Sequence, residues 1–155
     1  MIDILKGTWH LIYSNFSMWK EDVANVTFNY TPELKDGKGV LLDEVKYLKG
    51  GKEKSITGYD YPEDDTKFTW KGKGLLGILS SNWQLEWINH AEDCIIISFE
   101  KTLLTPAGVD ILTRSDIPNE QILYDAKQII KMNERLKKAA EGLYRINGSR
   151  DLVEE

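Results

Sequence analysis

Apolar and polar residues alternate with a period of two in eight successive segments of the chain, which is the pattern of half-buried β-strands. The clearest case is the sixth segment, where the large apolar residues Trp83, Leu85 and Trp87 alternate with polar ones. Residues that favour turns, or charged residues, end each segment. The pattern predicts strands at about 7–16, 23–31, 39–48, 54–61, 66–71, 82–87, 94–99 and 109–114.

The apolar period changes to that of a helix after the eighth segment. Ile122, Ala126 and Ile129 begin an apolar stripe that is broken at Asn133 and continues to Ala140. Asp116 is expected to cap this helix, because a short acidic side chain can accept hydrogen bonds from the first free backbone N–H groups. The sequence therefore predicts one C-terminal helix.

Eight strands in series followed by one helix predict an all-β fold. It is an eight-stranded up-and-down antiparallel β-barrel with a C-terminal α-helix packed on its outside, since closure removes exposed strand edges. The length of 155 residues fits a single domain. We predict that barrel and helix occupy residues 1–140, and that residues 141–155 form a loosely held tail.

Charge and cysteine content exclude some classes of function. The net charge of −5 argues against a nucleic-acid partner, because phosphate binding needs a basic face. Cys94 is the only cysteine, so no internal disulfide is possible, and we expect it to be a small buried apolar residue. The N-terminus lacks the pattern of a secretory signal, so the chain as given predicts a cytoplasmic protein, or a periplasmic or secreted one whose signal has been removed.

Two short segments are predicted to close one end of the barrel. Gly7-Thr8-Trp9 opens the first strand and Arg114 ends the last one. A guanidinium can lie flat on an indole ring, so Trp9 and Arg114 would seal the barrel where these strands meet. Gly7, Trp9 and Arg114 are therefore predicted to be structural residues.

The loops of an up-and-down barrel lie alternately at its two ends. One set of loops is charged and lies at the same end as Trp9 and Arg114, so we name that end the base. The other set is apolar and marks the mouth. Its predicted entrance residues are Phe16, Met18, Trp19, Leu75, Leu76 and Leu103. Exposed apolar loops fit a ligand gate, a homodimer contact or peripheral membrane contact, and the alternative is that they fold back as plugs.

The large apolar faces of the strands are the candidates for a ligand-binding interior. They are Tyr13, Phe28, Tyr30, Tyr59, Phe68, Trp70, Trp83, Leu85 and Trp87. An eight-stranded barrel is either filled by such side chains or holds one small ligand. The tyrosine hydroxyls would suit the head group of an acyl chain, or a flat apolar metabolite.

The sequence resembles the lipocalins. Gly7-Thr8-Trp9 is similar to the lipocalin Gly-X-Trp signature, and residues 111–115 are similar to the final-strand motif that ends in the family's arginine. The order of the remaining segments, over about residues 6–140, resembles the bacterial and apolipoprotein D-like branch. Asp93-Cys94 departs from the Asp-Tyr pair that is common there. The resemblance implies a barrel that holds a small hydrophobic ligand.

We therefore predict a non-enzymatic protein that binds, and carries or stores, a small hydrophobic ligand such as a fatty acid or lipid. No catalytic residue and no cofactor is expected. One alternative is a barrel enzyme whose acid or base is Asp43 or Glu44, on a third strand whose inner face the pattern leaves unassigned. Another is an interaction module that dimerises through the apolar mouth.

Other motifs in the sequence are not expected to carry chemistry. Residues 72–77 fit the dinucleotide-binding pattern Gly-X-Gly-X-X-Gly, but they join two antiparallel strands rather than opening a helix. His10 and His90 have no ligand partner at a suitable spacing, so no metal site is predicted.

Overall fold

The computed structural model describes residues 2–74, 80–103 and 105–148. Its main strands are β1 Gly7–Ser14, β2 Val23–Lys35, β3 Lys38–Lys49, β4 Lys52–Pro62, β5 Lys67–Gly72, β6 Ser80–Ile88, β7 Cys94–Phe99 and β8 Gly108–Thr113. Each pairs antiparallel with the next, and β1 pairs with both β8 and β2, which closes the barrel. The predicted fold class is confirmed.

Four short helical segments accompany the strands. They are α1 Ile2–Leu5, a 3₁₀ helix at Ser17–Trp19, α2 Glu120–Lys131 and α3 Glu134–Ala139. Asn119 caps α2 by accepting a hydrogen bond from the backbone N of Gln121, and Asn133 caps α3 in the same way. The predicted cap at Asp116 is wrong, because Asn119 directly precedes the first residue of α2, whereas the predicted break at Asn133 is confirmed as the boundary between α2 and α3.

Helices α2 and α3 pack on the outside of the barrel, as predicted. Their inward face carries Leu123, Ala126, Ile130, Leu136 and Ala140, which meet the outer faces of β1, β7 and β8. The partner strand residues are Ile12, Cys94, Ile96, Val109 and Ile111. Because these residues face outward while their neighbours face the interior, β7 and β8 are buried on both sides, which explains their nearly continuous apolar sequences.

A ninth strand, β9 Tyr144–Arg145, pairs with the mouth-side half of β1, where β1 no longer pairs with β2. The next residues complete the wall: Ile146 is buried in the barrel core, and the carbonyl of Asn147 accepts a hydrogen bond from the backbone N of Asn25. The prediction of a loosely held tail was wrong for residues 144–147, whereas residues 149–155 lie outside the described residues. The C-terminal segment thus fills a gap between β1 and β2.

Two β-bulges change which side chains face the interior. The register of β1 shifts between Leu11 and Tyr13, and that of β6 shifts between Leu85 and Trp87. Each bulge inserts an extra residue, so the strict alternation of inner and outer faces is broken at that point.

Within the described residues, no helix is long and apolar enough to cross a bilayer.

Candidate ligand-binding site

The base is closed by a cation–π contact and by hydrogen bonds to backbone carbonyls. The guanidinium carbon of Arg114 lies 3.7 Å from the centroid of the Trp9 ring, as predicted. Arg114 also donates hydrogen bonds to the carbonyls of Ile4, at 2.8 Å, and Thr8, at 3.1 Å. The indole N–H of Trp9 donates to the carbonyl of Leu5 at 2.9 Å, so α1 is held across the barrel end.

Gly7 is required at this closed end for two reasons. Its φ of +100° lies in the region that side chains disfavour, and a Cβ atom there would lie 3.1 Å from the guanidinium of Arg114. The first residue of the Gly-X-Trp segment therefore leaves room for the arginine that covers the tryptophan.

The predicted entrance residues take different positions at the mouth. Trp19 is buried, and its ring meets that of Tyr47 edge-on at 5.1 Å. The Phe16 ring meets Phe99 in the same way at 5.3 Å, so both loop aromatics fold inward, as in the plug alternative. Met18 and Leu103 are exposed.

Two of the predicted entrance residues, Leu75 and Leu76, lie outside the described residues. The assignment of this rim as a ligand entrance, a homodimer contact or a membrane contact stays a prediction.

Six of the nine predicted lining residues face the barrel interior. They are Phe28, Tyr30, Phe68, Trp70, Trp83 and Leu85. The Trp83 ring lies between two others, with its centroid 4.6 Å from that of Phe68 and 5.8 Å from that of Tyr30. This aromatic stack spans the middle of the barrel and narrows it there.

Tyr13 and Trp87 do not face the interior, and their assignment as lining residues was wrong. Each follows a β-bulge, so its side chain turns outward to the cluster beneath α2 and α3. The hydroxyl of Tyr13 accepts a hydrogen bond from Nζ of Lys127 in α2 at 2.7 Å. Tyr13 therefore attaches the helix to the barrel.

Tyr59 also faces outward, which corrects the predicted inner face of β4. Nζ of Lys35 lies 3.9 Å from the centroid of the Tyr59 ring on the outer surface. The inner face of β4 carries Gly58 and Asp60 instead, since a Cβ atom on Gly58 would lie only 2.4 Å from the Trp70 ring. Trp70 thus occupies the space that the missing side chain leaves.

The structure assigns the inner face of β3, which the sequence pattern leaves open. Leu41 and Asp43 are buried there, and Val45 and Tyr47 follow them toward the mouth. Glu44, the other candidate acid or base, alternates with these inward residues and therefore lies on the outer face of β3. Of these two carboxyls, only Asp43 faces the barrel interior.

Three buried aspartates, which we call the acidic layer, face the interior near the aromatic stack: Asp43, Asp60 and Asp110. Asp60 Oδ1 accepts a hydrogen bond from the indole N–H of Trp83 at 2.9 Å. Asp43 is within hydrogen-bonding reach of Asp60, and Asp110 is within reach of Ser14. With the carboxyls ionised, Asp43 Oδ1, Asp60 Oδ2 and Asp110 Oδ1 have no hydrogen-bond donor.

Burial makes the charged forms of these groups unfavourable. Desolvation raises the pKa of Asp110 to about 7, although its hydrogen bond with Ser14 opposes the shift. Desolvation also raises the pKa values of Asp43 and Asp60, which are coupled. The pKa of Tyr30 is raised by its burial and then by the negative charges of Asp43, Asp60 and Asp110.

The two other groups with possible reactivity do not form a site. Burial raises the pKa of the Cys94 thiol to about 12, so it stays protonated within the outer cluster, as a small buried apolar residue would. Among the described residues, no group of three or more His, Cys, Asp or Glu side chains is arranged to hold a metal ion.

No family model matches the sequence, and no curated protein matches it. Solved structures do match. Insecticyanin from the tobacco hornworm Manduca sexta aligns with a TM-score of 0.70 and 11% identity, over 95% of this chain and 80% of that chain. Lobster apocrustacyanin A1 aligns with a TM-score of 0.69 and 10% identity, over 94% of this chain and 78% of that one.

The fold is lipocalin-like. At these identities the likeness concerns the fold alone, which is the barrel and its C-terminal helix. The acidic layer was missed at the sequence level, apart from Asp43. One signal was available, because Asp60 has the same parity along β4 as Gly58, and a glycine inside a strand marks a close approach by another group.

Proposed function

We propose that this protein binds a small, mainly apolar ligand non-covalently in the mouth-side half of its barrel, and carries or stores it without a chemical step. The lipid class, and the closer likeness to the bacterial and apolipoprotein D-like branch, belong to this proposal and rest on the sequence motifs. A free fatty acid fits the interior less well, because its carboxylate would lie near the buried aspartates Asp43, Asp60 and Asp110.

The difference between the two halves of the interior carries the proposal. Toward the base, inward side chains such as Trp9, Leu41 and Leu112 have no exposed surface. Toward the mouth, the inward apolar side chains of Val45, Ile56 and Trp70 pack on the same core but stay partly exposed. Partly exposed apolar surface inside a concave wall is what a ligand of low polarity would cover.

The affinity would come from covering that surface. Burial of apolar area contributes about 25 cal/mol per Å² before the costs of association are subtracted. A linear ten-carbon chain is a suitable probe, because it is apolar and narrow enough to lie beside the aromatic stack.

The test is titration with decanol, followed by isothermal calorimetry and by the quenching of tryptophan fluorescence. Val45→Trp should fill the mouth-side half and weaken binding at least about tenfold, equal to about 1.4 kcal/mol. Lys46→Trp is the matched control, because Lys46 is the next residue of β3 and is exposed on the outer face. Thermal melts followed by circular dichroism show whether both variants fold.

Binding of decanol that neither variant changes would place the ligand elsewhere on the surface. The absence of any decanol binding by the wild-type protein would remove the proposed function itself.

A further inference from the structure

We propose that the ligand of this barrel carries a protonated amine, which binds at the acidic layer of Asp43, Asp60 and Asp110 while its apolar part lies toward the mouth. This inference rests on the proposed function and specifies the chemistry of the ligand.

The first argument is the set of unpartnered acceptors. All three aspartates are nearly inaccessible, with exposed fractions of 6% for Asp43, 0% for Asp60 and 1% for Asp110. Each has one carboxylate oxygen without a donor. Both ion pairs found in the described residues lie elsewhere, at Arg135–Glu86 and Arg145–Glu120. When these carboxyls are ionised, no cation among the described residues neutralises their charge.

The second argument is that the barrel wall does not need a carboxyl at Asp43 or at Asp110. Leu41 and Val45 flank Asp43 on the inner face of β3, and Leu112 follows Asp110 on the inner face of β8. Apolar residues thus suit neighbouring positions of the same wall. A buried carboxylate without a partner costs stability, so three of them point to a group that arrives from outside.

The third argument is the aromatic surface beside the carboxyls. Trp83 is fixed by its hydrogen bond to Asp60, and its ring faces those of Tyr30 and Phe68. Carboxylate oxygens next to aromatic rings are the environment that an ammonium group prefers, because both attract positive charge. An alkylammonium group also has three N–H donors, which matches several free acceptors better than a single hydroxyl does.

Three probes with the same ten-carbon chain test the inference: decylamine, decanol and decanoate, each titrated by calorimetry at pH 8. We expect decylamine to bind at least about tenfold more tightly than decanol, since hydrogen bonds to charged groups are stronger than those between neutral groups. Decanoate should bind most weakly, because its negative carboxylate is repelled by the carboxylates of the acidic layer.

The double variant Asp43→Asn/Asp60→Asn should lose most of the preference for decylamine over decanol. Asp65→Asn is the matched control, since it removes a carboxylate from an exposed loop at the base and should keep the preference. The double variant should not fold less well, because the exchange removes buried charge and keeps the shape of both side chains.

The preference for decylamine should also grow between pH 5.5 and pH 8. Asp43, Asp60 and Asp110 face Tyr30, with Glu44 near Asp43 and Tyr144 near Asp110, and none of these groups is a described cation. As the aspartates ionise, their attraction for an ammonium group increases.

Equal affinities of the wild type for decylamine and decanol would overturn the inference and leave the proposed function standing. A preference that survives in the double variant would also overturn it, because the amine would then bind outside the acidic layer. If the wild type bound none of the three probes, the proposed function would fail as well.

Discussion

The base and the acidic layer of the barrel hold polar groups in opposite ways. At the base, the guanidinium of Arg114 has two carbonyl partners and the indole N–H of Trp9 has one. In the acidic layer, Asp43 and Asp110 each keep a buried oxygen without any donor. Both regions belong to one closed barrel with the same strand pairing.

This contrast separates a structural role from a binding role. Buried polar groups in proteins are nearly always hydrogen-bonded, so those at the base need no explanation beyond the fold. Unpartnered ones stand out against that rule. The base should therefore contribute to stability, whereas the acidic layer should reduce stability and serve binding.

The largest expected effect is that of Trp9→Ala. The side chain of Trp9 is fully buried, so its removal leaves a large cavity and frees the carbonyl of Leu5, at a cost of about 3–5 kcal/mol in the free energy of unfolding. Urea denaturation measures this change.

Trp70→Ala is the matched comparison for Trp9→Ala, because the same residue type is partly exposed toward the mouth. It should cost less stability and change decanol binding more. A larger loss of stability from Trp70→Ala would reverse the assigned roles of the two ends.

The next effect is the pH dependence of stability. Asp110 has a pKa of about 7 in the folded protein, against 3.8 as its ordinary value. The folded state therefore holds a proton that the unfolded chain releases, so the stability is full below pH 3.8 and is lost as the pH rises through 7. We expect the free energy of unfolding to fall by about 2–3 kcal/mol between pH 5 and pH 8 from this group, at about 1.4 kcal/mol per unit.

Other carboxyls do not reverse this trend. The pKa values of Asp43 and Asp60 are raised too, so both act in the same direction. The pKa of Glu86 is lowered despite its partial burial, by hydrogen bonds from Arg135 and Ser98 and by the charge of Arg135, and its stabilisation is lost only at more acid pH. Asp110→Asn should flatten the curve measured by urea denaturation. A wild-type stability that rises from pH 5 to pH 8 would contradict the assignment.

The sequence predicts the strand order, the sealed base and the outer helix because these depend on repeated local patterns. It does not predict the faces of Tyr13 and Trp87, since a β-bulge adds one residue without any change in composition. The alternation of apolar and polar residues also predicted that Tyr59 faces inward. In the structure the inner face of β4 carries Gly58, which leaves room for the Trp70 ring.

The alternation of apolar and polar residues along the strands does not predict the acidic layer. A single aspartate in a strand is normally interpreted as an outward residue, and Asp110 on β8 is distant in sequence from Asp43 and Asp60 on the consecutive strands β3 and β4. Asp43 and Asp60 meet through the β3–β4 hairpin, whereas Asp110 comes from β8, which pairs with β1 where the barrel closes. Binding residues of this kind depend on tertiary register, which propensity does not encode.

A smaller effect is expected at the base from Arg114→Ala. The variant loses the stacking on Trp9 and two hydrogen bonds to carbonyls at the N-terminal end, which together contribute about 1–3 kcal/mol. Arg114→Lys should recover only part of this loss, because an ammonium group has no planar fork to cover the indole ring. Thermal melts compare the three proteins. Decanol affinity should stay unchanged, and an unchanged melting temperature for Arg114→Ala would count against a sealed base.

The smallest expected effect is that of Tyr59→Ala. Its ring lies on the outer surface under Lys35, where an exposed cation–π contact contributes about 0.5–1 kcal/mol. The variant should bind decanol and decylamine as the wild type does, because β4 presents Gly58 and Asp60 to the interior. Calorimetry with both probes decides the point. A loss of affinity in Tyr59→Ala comparable to that in Trp70→Ala would mean that the outer face of β4 takes part in binding, and the contrast between base and acidic layer would then no longer locate the site.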